Sequence, residues 1–312
     1  MEQPMEEVAA LSGQSKAIRT MIVPCPLCKS AQFHAVAMAN SQWHELQRDY
    51  TIVQCEACGC RYLNPRLRDE SLSDAYAVIQ KLLPPTAAYS TATGNALTRM
   101  WRHYGSYQVV DSITEGPVLD LGCNQGELLE ELRDKGLEAC GVEFSPEAVS
   151  WCKNLGLDVV EGSLEDFEIQ PGTFRTIVLS HVLEHLADPV RLLKRVASSL
   201  GDEGRLVICV PNVNSPTRRL FGPNWHGWDP PFHLVHYDEA SLRAACKLAG
   251  LSVTRTVKRM IPEDVRRSLL LWQGRNGRHL FLRAVTIPIL ALLTMLGFGS
   301  YLLVTAKVDS ER

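Results

Sequence analysis

The chain lacks an excess of positive charge. Its 312 residues carry 32 Lys and Arg against 35 Asp and Glu, a formal net charge of −3. A protein that holds nucleic acid by bulk electrostatics needs a clearly basic surface, so nucleic acid is not an expected partner on charge. An apolar signal-peptide core is missing too: Glu2, Glu6, Glu7 and Lys16 interrupt residues 1–20. With no export expected, the ten cysteines read as reduced thiols or metal ligands and not as a disulfide framework. Internal repeats and low-complexity tracts are absent. At 46% hydrophobic and 21% charged residues, the composition excludes a disordered or collagen-like chain. One stretch disturbs this soluble picture. Ala284 to Ala306 holds no charged side chain, which reaches the roughly 20 residues a membrane span requires.

What is present divides into segments. Residues 1–20 are polar and without periodicity, a flexible tail. Residues 21–68 are cysteine-paired, and 69–115 contain helical stretches broken at Pro84-Pro85, expected as a linker or cap. From 116 to 312 short strands alternate with helices, the pattern of a parallel α/β sheet. Strands are expected at 117–121, 139–143, 158–161, 176–180, 205–210, 251–257 and 300–307. Helices are expected at 127–135, at 146–154, after 180 with a later part at 189–200, and from the Asp238 cap to Gly250.

Val118-Leu119-Asp120-Leu121-Gly122-Cys123-Asn124-Gln125-Gly126 sets a small-residue turn between a strand and a helix N-terminus. It lacks the third glycine of the dinucleotide pattern. Glu143 ends the next strand, where a carboxylate accepts from ribose hydroxyls. Together these suit a nucleoside without a phosphate train. Asp120–Gly126, Gly141-Val142-Glu143 and Leu183–Pro189 resemble the Rossmann-like, class I S-adenosylmethionine-dependent methyltransferases over roughly 116–260, resuming at Ser300. The resemblance implies a seven-stranded, mostly parallel α/β sheet with helices on both faces, its last strand antiparallel beside the fifth. It further implies that Asp120, Gly122, Cys123 and Gly126 line the methionine side of S-adenosylmethionine, that Glu143 with Phe144 holds the ribose, and that Ser163 and Leu164 of Gly162–Glu165 lie beside the adenine. Ser163 stands where the family often has an acid. Ser180 and His181 would face cofactor and acceptor.

A hydroxyl acceptor must lose a proton, which favours a nearby His or a metal. His181, His185, His226, His233 and His236 all fall in segments expected near the carboxyl ends of the strands. His233 is the first choice of general base and His181 the second, against the alternative that each is a loop histidine bonding backbone. Asp229-Pro-Pro-Phe232 spells a tetrapeptide of amino-group methyltransferases but follows the fifth strand instead of the fourth, and reads as a rigid turn. His181, Glu184 and His185 would share a face if helical, and with His233 would converge on a divalent ion; a purely structural pair is the alternative.

Cys25-Pro-Leu-Cys28 and Cys55-Glu-Ala-Cys58 are two C-x-x-C knuckles. Four soft thiolates in two tight turns suit a closed, structural zinc site, a ribbon over 21–68. Cys60 falls outside the knuckle. In this module Lys29, Arg48, Arg61, Arg66 and Arg68 oppose Glu45, Asp49 and Glu56, and a zinc held by four thiolates adds about −2, so it is a poor electrostatic platform for RNA. It resembles the N-terminal ribbon joined to bacterial methyltransferases, where it helps enclose the acceptor.

Three functions compete: methylation of a small-molecule, sugar or lipid-linked acceptor, most readily at oxygen; methylation of structured RNA with the ribbon as reader; and a non-catalytic binding scaffold. The apolar run divides at Gly297-Phe298-Gly299 into an insertion helix within 261–299 and the last strand. Its core at 280–296, preceded by Arg266, Arg267, Arg275, Arg278 and Arg283, would pack on the cap or a second subunit, dock on the inner face of a membrane, or span it. The chain is expected in the cytoplasm.

Overall fold

The computed structural model describes residues 19–43, 46, 49–82, 106–164, 166–259, 262–273 and 299–309. Its first part rests on two matching turns. Each C-x-x-C pair is followed by a residue of left-handed conformation, Lys29 at φ 63° and Gly59 at φ 74°. The N–H of that residue donates to the carbonyl of the first cysteine at 2.9 Å in both turns. Around them run β1 (Thr20–Met21), β2 (Phe33–Ala39), β3 (Tyr50–Cys55), β4 (Arg61–Leu63) and β5 (Arg66–Leu67), with α1 (Asp69–Leu82) following. β1 pairs with β5, while β2, β3 and β4 form an antiparallel sheet. Residues 83–105 of the expected linker lie outside the described residues.

The second part comprises β6 (Val118–Leu121), α2 (Glu127–Asp134), β7 (Ala139–Glu143), α3 (Pro146–Asn154), β8 (Val159–Glu161), β9 (Thr176–Ser180), α4 (Pro189–Ser199) and β10 (Arg205–Pro211). It continues through α5 (Pro216–Phe221), β11 (Val235–His236), α6 (Glu239–Leu248), β12 (Leu251–Arg259), α7 (Pro262–Gln273) and β13 (Tyr301–Val308). The strand order is β12-β13-β10-β9-β6-β7-β8. The five strands from β10 to β8 are parallel, and β13 is antiparallel to both its neighbours. This is the seven-stranded α/β sheet expected.

The central strands are buried almost end to end, as strands covered on both faces must be. Their side chains alternate between two cores. Leu119, Ile177, Leu179, Ile208 and Leu302 join Leu193 and Val196 of α4, Leu242 and Ala245 of α6, and Tyr50, Ile52 and Tyr62 of the cysteine module. Val118, Val178, Val207 and Leu303 point the other way, onto Leu132 of α2 and Val109, Val110 and Ile113. The helix starts are encoded locally. Ser145 caps α3 ahead of Pro146, Asp188 caps α4 ahead of Pro189, and Asp238 with Ser241 makes a reciprocal capping box for α6.

One expectation needs correction. No α-helix follows β9 directly. His181 takes a left-handed φ of 57°, and Leu183–His185 form a single 3-10 turn before α4 begins at Pro189. His181, Glu184 and His185 are therefore not stacked on a helix face. The run from Ala284 to Ala306 ends as expected, its last residues lying in β13. The rest of that run, including 280–296, lies outside the described residues. Among the described residues no helix is long and apolar enough to cross a membrane.

A strand that follows the large sheet's β10 completes the small sheet of the cysteine module. β11, which follows β10 by way of a long loop, pairs antiparallel with β4, Val235 against Tyr62 and His236 against Arg61. This covers what would otherwise be an open edge of the small sheet. Leu63 N–H donates to the Leu234 carbonyl at 2.9 Å, Gln42 and Trp43 donate to Asp229, and Arg61 reaches Asn214 and Asp238. Asp238 is thus both a helix cap and an anchor for the module, its Oδ1 taking Ser241 N–H at 2.8 Å and its Oδ2 taking Arg61 and Asn214. Asp238→Ala is expected to lower stability by about 1–2 kcal/mol, the loss of a cap plus a half-buried ion pair. A shifted midpoint in denaturant unfolding at unchanged slope checks this.

Candidate active site

The glycine loop between β6 and α2 has little steric freedom. Gly122 sits at φ 82°, and a Cβ there would lie 2.6 Å from Val182 Cγ2; Gly126 at φ 78° would meet Leu157 Cδ1 at 2.4 Å. Both positions demand glycine for conformation and for space. The N–H groups of Gly122 and Cys123 donate to the Val142 carbonyl at 2.8 and 3.1 Å. Glu143, buried at the end of β7, takes Asn124 N–H on Oε2 at 3.0 Å and the N–H groups of Phe144 and Ser145 on Oε1 at 2.9 Å each. A carboxylate has about four acceptor positions, so one stays available for a hydroxyl. Beside it the Phe144 ring is 56% exposed.

Asp120 lies beneath the loop, 3% exposed. Burial, reinforced by the Glu143 charge, pushes its carboxyl up to about 7. Leu164 reaches the loop at Gly122, Ser163 is exposed, and Ser180 ends β9 half-buried. Asp120, Gly122, Glu143, Phe144 and Leu164 thus come together around the loop. Cys123 differs, since its side chain packs inward with Leu129, Val149 and Cys152 and leaves only its main chain toward the turn. Glu165 lies outside the described residues.

Next to the loop contact Val182, three polar side chains converge. Glu184, His185 and His233 each offer a ligand atom within 4.8 Å of the others, and the His185 and His233 ring centroids are 4.7 Å apart. Glu184 is 1% exposed. Burial raises its carboxyl, but His181, His233 and His185 outweigh that and draw it down to about 2. His233 Nδ1 lies 2.9 Å from the Gly227 carbonyl. A carbonyl only accepts, so Nδ1 carries the proton and Nε2 keeps its lone pair. His185 is depressed to about 4, chiefly by burial. His181 stands at the margin, its Nδ1 3.5 Å from Glu184 Oε1 and its ring on Tyr301. Burial acts to lower it, yet Cys209 and Glu184 carry it up to about 10. A histidine that holds its proton is a poor base, so His181 is the weaker of the two base candidates.

The other loop histidines turn away. His226 faces α7, its N–H on Ser268 and its ring toward Arg267. His236 stacks edge-on against Trp228 in β11. Asp229-Pro-Pro-Phe232 is the tight turn expected, with Phe232 and His233 N–H both donating to the Asp229 carbonyl.

Sequence reasoning missed the aromatic wall here. Tyr76 of α1 bonds His185 Nδ1 at 3.1 Å, and its ring meets Phe232 at 4.5 Å and Phe144 at 6.3 Å. Trp43 stacks edge-on against Phe232 from the other side. The apolar spacing Leu72, Ala75, Tyr76 marked a buried helix face; the partner 109 residues away carried no local signal.

In the cysteine module, Cys25, Cys28, Cys55 and Cys58 present sulfurs within 4.8 Å of one another, with Cys25–Cys58 and Cys28–Cys55 at 3.5 Å. A tetrahedron with metal–sulfur bonds of about 2.3 Å has edges of about 3.8 Å, so the four thiols already approximate that figure. Cys60 is fully buried behind them, outside the set.

The strand order with β13 inserted antiparallel, the two-glycine loop and the acid ending β7 define an S-adenosylmethionine-dependent methyltransferase domain of class I. The chain belongs to the methyltransferase-domain family, whose model matches residues 78–256, more than half of its length. It is 31% identical over 102 residues to a ubiquinone biosynthesis O-methyltransferase of Xanthomonas euvesicatoria, covering 30% of this chain and 43% of that protein. A protein of the same description from Xylella fastidiosa is 30% identical over 110 residues, 32% of this chain and 44% of its own. The chain thus spans less than half the length of these relatives. Among solved structures, a complex of the Haloferax volcanii Trm112 methyltransferase activator with a methyltransferase aligns at TM-score 0.51 and 17% identity, over 77% of this chain and 96% of the other. The cyclase SpnF aligns at 0.51 and 15% over the same shares. At such identities these structures show the fold alone.

The raised carboxyl of Asp120 makes a pH prediction. Its folded pKa of about 7 lies above the ordinary 3.8, so between these values the folded chain holds a proton that the unfolded chain has released. Stability from this group therefore falls as pH rises from about 4 to 7 and stays reduced above. Asp120→Asn removes that slope. In calorimetric melts without cofactor the variant should exceed the parent Tm by several degrees at pH 8, with the gap closing toward pH 5.

Proposed function

We propose that this chain transfers the methyl group of S-adenosylmethionine to an oxygen of a small-molecule, sugar or lipid-linked acceptor. The convergence of Glu184, His185 and His233 beside the glycine-loop contact Val182 carries this reading. Methylation of a hydroxyl is an in-line displacement with one extra demand, removal of the hydroxyl proton. A nitrogen acceptor with a free lone pair makes no such demand. The likeness to ubiquinone biosynthesis O-methyltransferases over 102 residues supports oxygen as the target.

S-adenosylmethionine supplies an electrophilic methyl on a sulfonium; the residues named here bind, orient and dry it. The remaining acceptor position of Glu143 takes a ribose hydroxyl, the exposed Phe144 ring offers an apolar face for the adenine, and the buried Asp120 carboxylate faces the methionine end. His233 Nε2 receives the hydroxyl proton as the new O–CH3 bond forms and the S–CH3 electron pair returns to sulfur. Tyr76, Phe232 and Trp43 exclude water from that step. Isothermal calorimetry should show S-adenosylmethionine binding one to one, weakened at least tenfold in Glu143→Ala. With labelled cofactor and cell extract, His233→Ala should lose at least a hundredfold in transfer rate while still binding cofactor. A parent chain that binds no S-adenosylmethionine, or an Asp120→Ala variant that binds it as well as the parent, would sink the proposal.

The four-cysteine cluster is proposed to hold a structural zinc ion. Its donor set is all sulfur and closed, so it leaves no open position for chemistry. Metal analysis should return one zinc per chain at this site. Cys58→Ser should lose it and lower the melting temperature, because β4 and the knuckles support the loop that carries His233.

A further inference from the structure

We propose that Asp264 and Ser268 of α7 are positioning residues for methyl transfer. Together they hold the turn at His226–Trp228 so that its Gly227 carbonyl keeps a proton on His233 Nδ1 and leaves Nε2 to receive the one from the acceptor. The proposal rests on the methyl-transfer reading above, with His233 as its base, and gives the helix inserted between β12 and β13 a part in that step. Three observations support it.

The first is how His233 hangs from the turn. Its main-chain N–H donates to the Asp229 carbonyl at 3.1 Å, and its Nδ1 lies 2.9 Å from the Gly227 carbonyl. Which ring nitrogen of a neutral imidazole carries the proton is set by the bond made at the other, so the place of one carbonyl decides what His233 presents to the acceptor. The second is how α7 holds that carbonyl. Ser268 Oγ accepts the His226 N–H at 2.9 Å, one residue before Gly227. Asp264, 1% exposed, accepts the Trp225 indole N–H on Oδ2 at 3.3 Å. The indole in turn fills the space at Gly227, where a Cβ would lie 2.2 Å from Trp225 Cζ2. Ring and backbone are in direct contact, and a shift of one moves the other. The third is that α7 already has an apolar anchor. Val265, buried beside Asp264, joins the main core, so packing alone seats the helix. A buried carboxyl adds a penalty to that packing, and burial pushes it up to about 7. What it supplies is direction, since a hydrogen bond fixes the indole where an apolar side chain would let it slide.

The chemistry served is the movement of one proton. With Nδ1–H on Gly227, Nε2 offers a lone pair. The hydroxyl proton passes to it as the acceptor oxygen takes the methyl carbon and sulfur keeps the electron pair of the broken bond. If the turn drifts, the imidazole is free to carry its proton on Nε2, and a nitrogen that already holds a proton cannot receive one. Neither Asp264 nor Ser268 touches the reacting atoms; each acts through the turn. A misplacement of about 1 Å can lower a rate by about a hundredfold, so the two bonds from α7 need move the turn only slightly to matter.

The tautomer can be read without knowing the acceptor. In the full chain labelled with nitrogen-15 at histidine, long-range proton–nitrogen correlation spectra distinguish the two ring nitrogens, and His233→Gln identifies the signals. The parent is expected to show His233 protonated at Nδ1. In Ser268→Ala and in Asp264→Ala the signals should move toward a mixture of tautomers. Transfer from labelled cofactor into cell extract should fall at least tenfold in both, while calorimetry shows S-adenosylmethionine bound at parental affinity. Asp264→Asn keeps an acceptor oxygen for the Trp225 N–H and should match the parent in both readouts. If Asp264→Ala fails to bind the cofactor, Ser268→Ala alone decides. Retention of the parental tautomer in the alanine variants, whatever their rates, overturns the proposal, as does a shifted tautomer with undiminished transfer. A parent with the proton on Nε2, or an Asp264→Asn variant as impaired as Asp264→Ala, overturns it too. A parent that binds no S-adenosylmethionine overturns the methyl-transfer reading instead, and the tautomer shift in the α7 variants would still report their hold on His233.

Discussion

The structure turns on a short ladder of main-chain bonds at the carboxyl edge of the large sheet. Leu63 N–H in the cysteine module donates to the Leu234 carbonyl, and Leu234 N–H donates to the Glu184 carbonyl. Three segments distant in sequence are thereby tied together: β4, the loop after β10, and the turn after β9. Each side chain of the polar cluster hangs from one of the last two. If β4 were removed, β11 would become an unpaired two-residue strand, and nothing in its length would hold it extended. The module therefore fixes the position of His233 without contributing a polar group of its own to the cluster.

This arrangement also explains how the site is kept dry. Phe232 from the Asp229 turn packs edge to face with Trp43 from the module and tilted against Tyr76 from α1. Asp229 sits behind them, its carboxyl raised by burial and partly offset by His233 and by the Gln42 and Trp43 donors. A charge set that deep is tolerable because donors from the module reach it. The aromatic wall and the polar cluster are two consequences of the same docking.

Much of the large sheet was legible in the sequence, for physical reasons. Strands buried on both faces must be almost continuously apolar, and helices entered through Ser145-Pro146, Asp188-Pro189 and Asp238 announce their first turns. The bounds of β7, α3 and β9 follow directly. The zinc-type knuckles were equally plain, since two identical spacings demand a local explanation. What was not legible depends on contacts without local cause. Nothing near Tyr76 indicates His185, nothing near Arg61 indicates Asp238, and no pattern in Val235–His236 foretells that these two residues complete another sheet. The stretch after β9 was misread because H-x-x-E-H has helical spacing, while His181 in a left-handed conformation rules out a continuous helix there.

The bend after β9 bears on how the polar side chains meet. On an α-helix His181, Glu184 and His185 would share one face as equal neighbours. The left-handed residue at 181 and the single 3-10 turn bend the chain sharply at the end of β9, so His181 is displaced to the margin and Glu184 and His185 turn inward together. His181 then neutralises one side of Glu184 from a position 34% exposed, and the other side faces His185 and His233. The cluster is asymmetric as a result, with His181 raised at its margin and His185 pushed down by burial within. The imidazoles of His185 and His233, 4.7 Å apart, thus share the inner side of Glu184.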